Sequence, residues 1–544
     1  MSTVATAVTP APSVLAPEKT RPGGGWRQWR PRLPERGLAR LGMLVAGAVV
    51  AAGVVLRFIA PNGLWLDEVL SVNISRLPLQ QIPGALVQDG SPPLYYVMLH
   101  YWMLAFGQGE VAVRALSGIT SVVTLPFLWA AGKRVGGRPA AWAALLLGAS
   151  SPWAIYYGTD TRMYSLMALE ALLWYLAIRR AVELPSRGRL ICVLVLTAAL
   201  MYTHYWDLYL VGVGALWALW RAVVEARRGV VPAGAYPRAA RKVLLAMVAG
   251  GVLWLPWLPV FVFQALHTGT PWTSPPGPQD LLLVFGYFAG TVGAWGELLT
   301  FMLFALVVLA LLARPGPRAT SLVLEMKPQP RATLLAWLVI GTLGVAVVLG
   351  LVTGAAFDSR YIGVVFPLFV LLCALGLTAF SSRAVTSAVL AVACVAGLFS
   401  AQLWNSQPRT QAVQVAAVLN AQAQPGDMVV YCPDQLGPAV DRLLTVPDVT
   451  ELTYPRTMGP QRIDWIDYAA TIQNTSPEVV AQGIVSRLNP GSTLWLVWRN
   501  GYKVFGSSCG DLANWLEMYH PGGETVMSQD LNYYEPENLV RFPS

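Results

Sequence analysis

The chain has 544 residues, 55% hydrophobic and only 12% charged, with a mean hydropathy of +0.51; a soluble globular protein carries about 25% charged residues, so that class is excluded. Apolar runs near 20 residues in length, separated by short basic loops, describe a polytopic α-helical membrane protein. The formal charge of +9 is therefore read as membrane topology and not as a nucleic-acid footprint, because the Lys and Arg residues sit in loops between apolar runs.

In chain order, residues 1–37 are rich in Pro, Gly, Thr and Arg and are expected to be a disordered cytoplasmic N-terminus. The first apolar run, 38–59, is too long for a signal-peptide core and reads as a retained helix. Further runs lie at 111–131, 139–157, 163–181, 189–204, 207–224, 242–264, 296–313, 332–354, 361–380 and 384–403, which makes eleven candidate spans. The run Leu94–Phe106 has 13 residues and covers about 20 Å as a helix, short of a core of about 30 Å, so it is assigned as re-entrant or interfacial. With the N-terminus inside, the loops Lys133–Arg138, Arg179–Arg189, Arg221–Lys242 and Arg314–Arg331 are cytoplasmic and hold 3, 4, 6 and 4 basic residues. The opposite loops hold few, which is the positive-inside asymmetry. Eleven crossings then place the tail outside the cytoplasm.

From Asn405 onward the chain carries 8 basic and 14 acidic residues, a net −6, and this shift marks a second domain, 404–544, after the transmembrane domain 38–403. The stretch 410–422 is apolar at helical spacing, and MVVYC (428–432) and TLWLVW (493–498) read as buried strands. A small α/β domain with a parallel sheet is expected, and no glycine-rich phosphate loop follows either strand. Cys432 and Cys509 can pair if the tail is outside, provided that their Cα atoms approach within about 7 Å.

The polar residues gather on the outer side. Asp67 and Glu68 follow the first span; they either start a helix, where acids are favoured, or do chemistry. Asp160 and Arg162 stand between two spans with Tyr157 and Tyr164 beside them, as an interfacial ion pair or as part of a site that handles a hydroxyl and an anion. Arg360, with Tyr361, opens a late span; it either snorkels to headgroups or clamps phosphate. His204 and Asp207 are one turn apart, which could bring them together as a metal pair or a proton relay; with no HExxH-like spacing and no Cys nearby they are read as polar lining.

In this order the residues Asp67-Glu68, Ser91-Pro92-Pro93-Leu94-Tyr95-Tyr96, Arg114, Tyr157…Asp160-Thr161-Arg162-Met163-Tyr164 and Arg360-Tyr361 resemble the GT-C superfamily of membrane glycosyltransferases, and most of all its protein O-mannosyltransferase and aminoarabinose-transferase type. The resemblance spans residues 38–403. It implies a polyprenyl-phosphate sugar as donor, an extracytoplasmic hydroxyl on a glycan, lipoglycan or protein as acceptor, and amphipathic helices within 61–110. It further implies that Asp67 is the catalytic base, with Glu68 and Asp160 as the other acids of the site; related sequences often carry Glu where Asp160 stands. Arg360, Arg162 and Arg114 are expected to bind the donor phosphate, and Tyr157, Tyr164, His204 and Tyr361 to line the site. No cofactor is assigned, and a divalent metal stays open. The expected activity is inverting transfer in the cell membrane. The Ala-, Gly-, Arg-, Pro- and Trp-rich composition suggests a GC-rich genome, which fits mannose or arabinose transfer to the cell envelope; mannose is the first sugar expected, then arabinose. The alternative from another class is a lipid-linked glycan flippase, which predicts charges buried at the membrane midplane.

Overall fold

The computed structural model describes residues 35–228, 238–269, 275–290, 292–316, 321–325, 329–354 and 356–544. The disordered stretch expected at 1–37 lies outside these up to residue 34, as do parts of the basic loops, including Arg318 and Lys327. The chain divides at residues 46 and 47, inside the first helix, Glu35–Leu56, and all contacts below lie within Gly47–Ser544.

Helices occupy every expected apolar run, but among the described residues six are long and apolar enough to cross a membrane: Glu110–Ala149, Asp207–Arg227, Ala239–His267, Gly293–Leu312, Pro330–Thr353 and Arg383–Asn405. Part of the difference from eleven has local causes. Glu110–Ala149 holds two expected runs, bent where Gly137 takes φ 74°, a conformation that a side chain would strain. The chain then breaks at Ser150, and Ser151 caps a new turn through the Ala154 N–H at 3.3 Å, with Pro152 in the first helical position. Phe366–Leu377 is only 12 residues long, yet every one is buried, so it serves as an all-apolar core helix among its neighbours. A short helix, Asp280–Ala289, was not expected from the sequence.

Between Glu35–Leu56 and Glu110–Ala149 lie three short helices, Leu66–Ser75, Ile82–Asp89 and Leu94–Phe106. The last is the 13-residue segment assigned as interfacial. Gly90 ends the middle helix at φ 85°, the left-handed cap that glycine tolerates.

The tail contains the expected helix, Ala412–Gln422, and a five-stranded sheet in the order Thr450–Thr453, Met428–Cys432, Leu494–Trp498, Asn538–Phe542, Glu524–Met527. The sheet is mixed and not parallel throughout. The first three strands are parallel, with Met428 opposite both Thr450 and Leu494, and helical crossovers return the chain between them. The last two strands run antiparallel. Cys432 and Cys509 form a disulfide with Cα atoms 5.4 Å apart.

Strand alternation decides what the two sheet faces do. Val429, Tyr431, Trp495 and Val497 join the core that runs into the membrane helices. Met428, Val430, Cys432, Leu494 and Leu496 form a second core, which also takes in Leu66 and Leu70. The helix Leu66–Ser75 is thus packed from both sides: Val69 and Val72 belong to the membrane-side core, Leu66 and Leu70 to the tail-side one.

Candidate active site

The helix Leu66–Ser75 starts after Trp65, whose side chain offers its first turn no acceptor. The tail supplies one: the Leu66 N–H donates to both carboxylate oxygens of Glu535, at 3.3 and 3.4 Å. With its start fixed, successive positions of the helix send Asp67 and Glu68 in different directions, about 100° apart around the axis.

Glu68 turns inward and is wholly buried. Arg114 grips it with two bonds, Nε to Oε1 at 2.8 Å and Nη2 to Oε2 at 2.6 Å, and also donates to the carbonyls of Asn62 and Gly63. The N–H and hydroxyl of Thr161 donate to Oε1 at 3.0 and 3.2 Å. Burial pushes the Glu68 carboxyl up, and the charges of Arg114 and Arg409 more than reverse this, so it stays below the usual glutamate range. Arg114 has therefore spent its fork on Glu68 and the preceding loop.

Asp67 turns to a partly open space and meets Arg360, whose Nη1 donates to Oδ2 at 2.6 Å. The same guanidinium lies 3.2 Å from Asp358 and packs over the rings of Trp65 and Tyr361. Arg162 sits on the other side of the helix start. Its Nη1 donates to the Asp67 carbonyl, to Ser71 Oγ and to Tyr96 OH, at 3.2–3.4 Å. Tyr96 in turn donates to Asp89 at 2.8 Å.

Asp160 lies in the 3₁₀ turn region between two membrane helices and is buried. Its Oδ1 accepts from Trp65 Nε1 at 3.1 Å, while Oδ2 has no hydrogen-bond partner. Burial and the neighbouring Glu68 push its carboxyl up to about 6, against the pull of Arg409. Arg162 Nε and Tyr164 OH are likewise buried without partners. Buried polar atoms are normally paired, so these three orphans, on residues 160, 162 and 164 of one short segment, mark a place shaped for a polar ligand.

The aromatic lining is continuous. Tyr164 meets His204 edge-on, His204 meets Tyr361 at a tilt with ring centres 5.0 Å apart, and Tyr157 OH bonds Ser359 Oγ at 3.1 Å. His204 Nδ1 accepts the Trp206 N–H at 3.1 Å, and neither carboxylate oxygen of Asp207 has a hydrogen-bond partner, so the two side chains do not pair. Among the described residues no three His, Cys, Asp or Glu side chains converge as metal ligands.

All ten residues singled out from the sequence thus lie in one connected neighbourhood. Three others join them without a sequence signal: Trp65, Arg409 and Glu535. Arg409 approaches Glu68 at 3.6 Å and Asp160 at 3.8 Å.

Comparison with solved structures places the fold in a known framework. ArnT from Cupriavidus metallidurans, in its complex with undecaprenyl phosphate, superposes with a TM-score of 0.56 at 14% identity, covering 94% of this chain and 99% of that one. The fold is GT-C-like. The apo form of ArnT gives the same TM-score over 93% and 98% of the two chains, also at 14% identity. The Archaeoglobus fulgidus oligosaccharyltransferase aligns more loosely, with a TM-score of 0.46 at 11% identity over 84% of this chain and 67% of that one. Residues 90–254 match the family described as dolichyl-phosphate-mannose-protein mannosyltransferase. That stretch of the GT-C-like domain holds Arg114, Asp160, Arg162 and His204, and it starts after Asp67 and ends before Arg360. No curated protein matches the chain.

Proposed function

We propose that the chain is an inverting glycosyltransferase that moves a sugar from a polyprenyl-phosphate donor to a hydroxyl of a cell-envelope glycan, lipoglycan or protein at the extracytoplasmic membrane face. The observation that carries this reading is the Asp67–Arg360 pair: a carboxylate and a guanidinium 2.6 Å apart, both partly open, beside three buried polar atoms without partners. The GT-C-like fold, shared with an enzyme that holds undecaprenyl phosphate, supports the same choice of donor.

The chemistry needs a base and an anion clamp. As donor phosphate draws Arg360 towards itself, the Asp67 carboxylate is released to take the proton of the acceptor hydroxyl. The hydroxyl oxygen attacks sugar C1 from the face opposite the phosphate, the C1–O bond breaks, and its electron pair leaves with the lipid phosphate. One displacement inverts the anomeric centre. Arg360 binds the phosphate oxygens through its planar fork, and Arg162, behind the helix start, adds positive potential. Glu68 and Arg114, saturated by each other, hold the helix that carries Asp67. Tyr157, Tyr164, His204 and Tyr361 wall the sugar, and Asp160 offers its free oxygen to a sugar or acceptor hydroxyl.

In this reading the chain is a multi-pass protein of the cell membrane, with its N-terminus in the cytoplasm and the tail outside. The disulfide in the tail supports that side, because disulfides persist in oxidising compartments. Mannose is the first donor sugar to test and arabinose the second. Membranes holding the protein are given each radiolabelled polyprenyl-phosphate sugar, with and without a chelator. Label in an acceptor that depends on the protein is the expected result, and loss of it with chelator would add a divalent ion to the site. Intact donor crossing sealed vesicles with no label transferred would replace this reading with a flippase.

A further inference from the structure

Two segments of the tail meet beside the acid pair. Its first segment, 408–411, and its late segment, 534–535, are tied by backbone bonds: Tyr534 N–H to Pro408 O at 3.1 Å, Glu535 N–H to Arg409 O at 2.8 Å and Gln411 N–H to Glu535 O at 3.0 Å. One segment sends Glu535 to the start of the helix Leu66–Ser75. The other sends Arg409 behind it, where its side chain is buried.

Arg409 is fixed on several sides. It donates to the Thr159 carbonyl at 3.3 Å and to Thr159 Oγ1 at 2.7 Å, and its guanidinium carbon stands 4.5 Å from the centre of the Tyr156 ring. There it faces two buried carboxylates, Glu68 and Asp160. Arg114 already grips Glu68 with two bonds, so Arg409 is the cation left to balance Asp160. Two acids and two arginines form a neutral buried cluster, and one of the four comes from the tail.

We propose that Arg409 is a positioning residue of the transfer site, through which the tail domain keeps Asp160, and with it the Trp65 lead-in to the Asp67 helix, in the arrangement that transfer requires. The inference rests on the glycosyltransferase reading above. Its physical basis is the cost of a buried charge with no counter-charge, which takes up a proton instead of persisting. The groups that face Asp160 are Trp65, Asp67 and Glu68 on the acid-bearing segment, Tyr95 on Leu94–Phe106, Tyr156 on its own segment and Arg409 from the tail. Arg409 is the cation among them. Without it Asp160 protonates at a higher pH, its bond to Trp65 Nε1 weakens, and the start of the helix is released.

The test uses the purified full chain as wild type, Arg409→Gln, Arg409→Lys and Arg409→Gln/Asp160→Asn. Radiolabelled transfer is measured from pH 5 to 9, and thermal midpoints are measured in parallel. Arg409→Gln is expected to lower kcat by about 10–100-fold, with the donor KM within about twofold, and to move the acidic limb of the pH profile upward. Arg409→Lys, which keeps the charge, should restore part of kcat and the position of the limb. The midpoint lost in Arg409→Gln should largely return in the double variant, since removing Asp160 removes the unbalanced charge. Where Arg409→Gln purifies too poorly for a midpoint, recovery of yield in the double variant reads the same coupling. An unmoved pH limb in Arg409→Gln, or a double variant no more stable than the single one, would overturn the proposal. Absence of transfer by the wild type would overturn the glycosyltransferase reading instead, while the midpoint coupling would still decide whether Arg409 balances Asp160.

Discussion

Replacing Asp67 with Asn separates base chemistry from donor binding, because the structure sets the two effects in opposite directions. Asn is close to Asp in shape and can still accept a hydrogen bond from Arg360, so the site keeps its form while losing its base. Loss of a positioned general base costs about 10²–10⁴-fold in kcat. Donor binding should move the other way. In the wild type, phosphate must compete with Asp67 for Arg360 across a 2.6 Å contact between side chains that are 18% and 15% exposed. A hydrogen bond to a charged partner contributes about 1.5–3 kcal/mol net, and the partial exposure of both groups argues for the lower end. With about 1.4 kcal/mol per tenfold, replacing the ion pair by a weaker neutral hydrogen bond should tighten the donor by up to about tenfold. Single-turnover transfer gives the first quantity, and titration of the purified protein with polyprenyl-phosphate sugar gives the second. The reasoning fails if Asp67→Asn keeps kcat within about tenfold of wild type, or if donor affinity falls in step with kcat/KM.

The inner acid behaves differently from the outer one. Glu68→Gln leaves Arg114 and Arg409 buried without their shared carboxylate, and breaking such a pair from one side costs about 3–5 kcal/mol; Glu68→Gln/Arg114→Gln should lose less than either single change. Chemical denaturation in detergent measures this, and a single variant within about 1 kcal/mol of wild type would refute a positioning role for the pair. The tail should loosen as pH rises. Burial raises Asp434 and Glu451 to about 7 and Glu535 to about 8, so the folded state keeps protons that the unfolded chain releases above pH of about 4, and stability drains from there through about pH 8. Glu68, held low, acts in the opposite sense only at lower pH. A thermal midpoint of the full chain that is higher at pH 8.5 than at pH 5 would contradict the sign.

The parts of this site that could be read in the sequence share one property: the membrane had already narrowed their meaning. A carboxylate or guanidinium beside an apolar run is costly unless it has a task, so Asp67, Glu68, Asp160, Arg162 and Arg360 stood out from their surroundings. The same rule located them without separating their roles. Asp67 and Glu68 are neighbours in sequence and look alike there; only the rotation of one helix residue against the next sends the first to Arg360 and the second into the grip of Arg114. Arg114, picked out as a phosphate ligand, has its donors directed at Glu68 and two loop carbonyls, a fact that depends on how a helix 46 residues away is seated.

Arg409 and Glu535 show where that rule stops. Both lie in a polar, charged tail, where an Arg or a Glu is ordinary and carries no sign of burial. Arg409 meets Thr159 across 250 positions of sequence, and Glu535 meets Leu66 across 469. No periodicity within either segment encodes such a contact. It exists because the two ends of the tail are bonded to each other and delivered together to the start of one helix. The boundary at 404, read from a change of composition, is therefore a boundary in chemistry of the surroundings but not in the work of the site: the helix that presents Asp67 is seated on the membrane side by Arg114 and on the tail side by Glu535. Any force that tilts the tail, such as a bound acceptor, acts directly on the start of the helix that carries the proposed base.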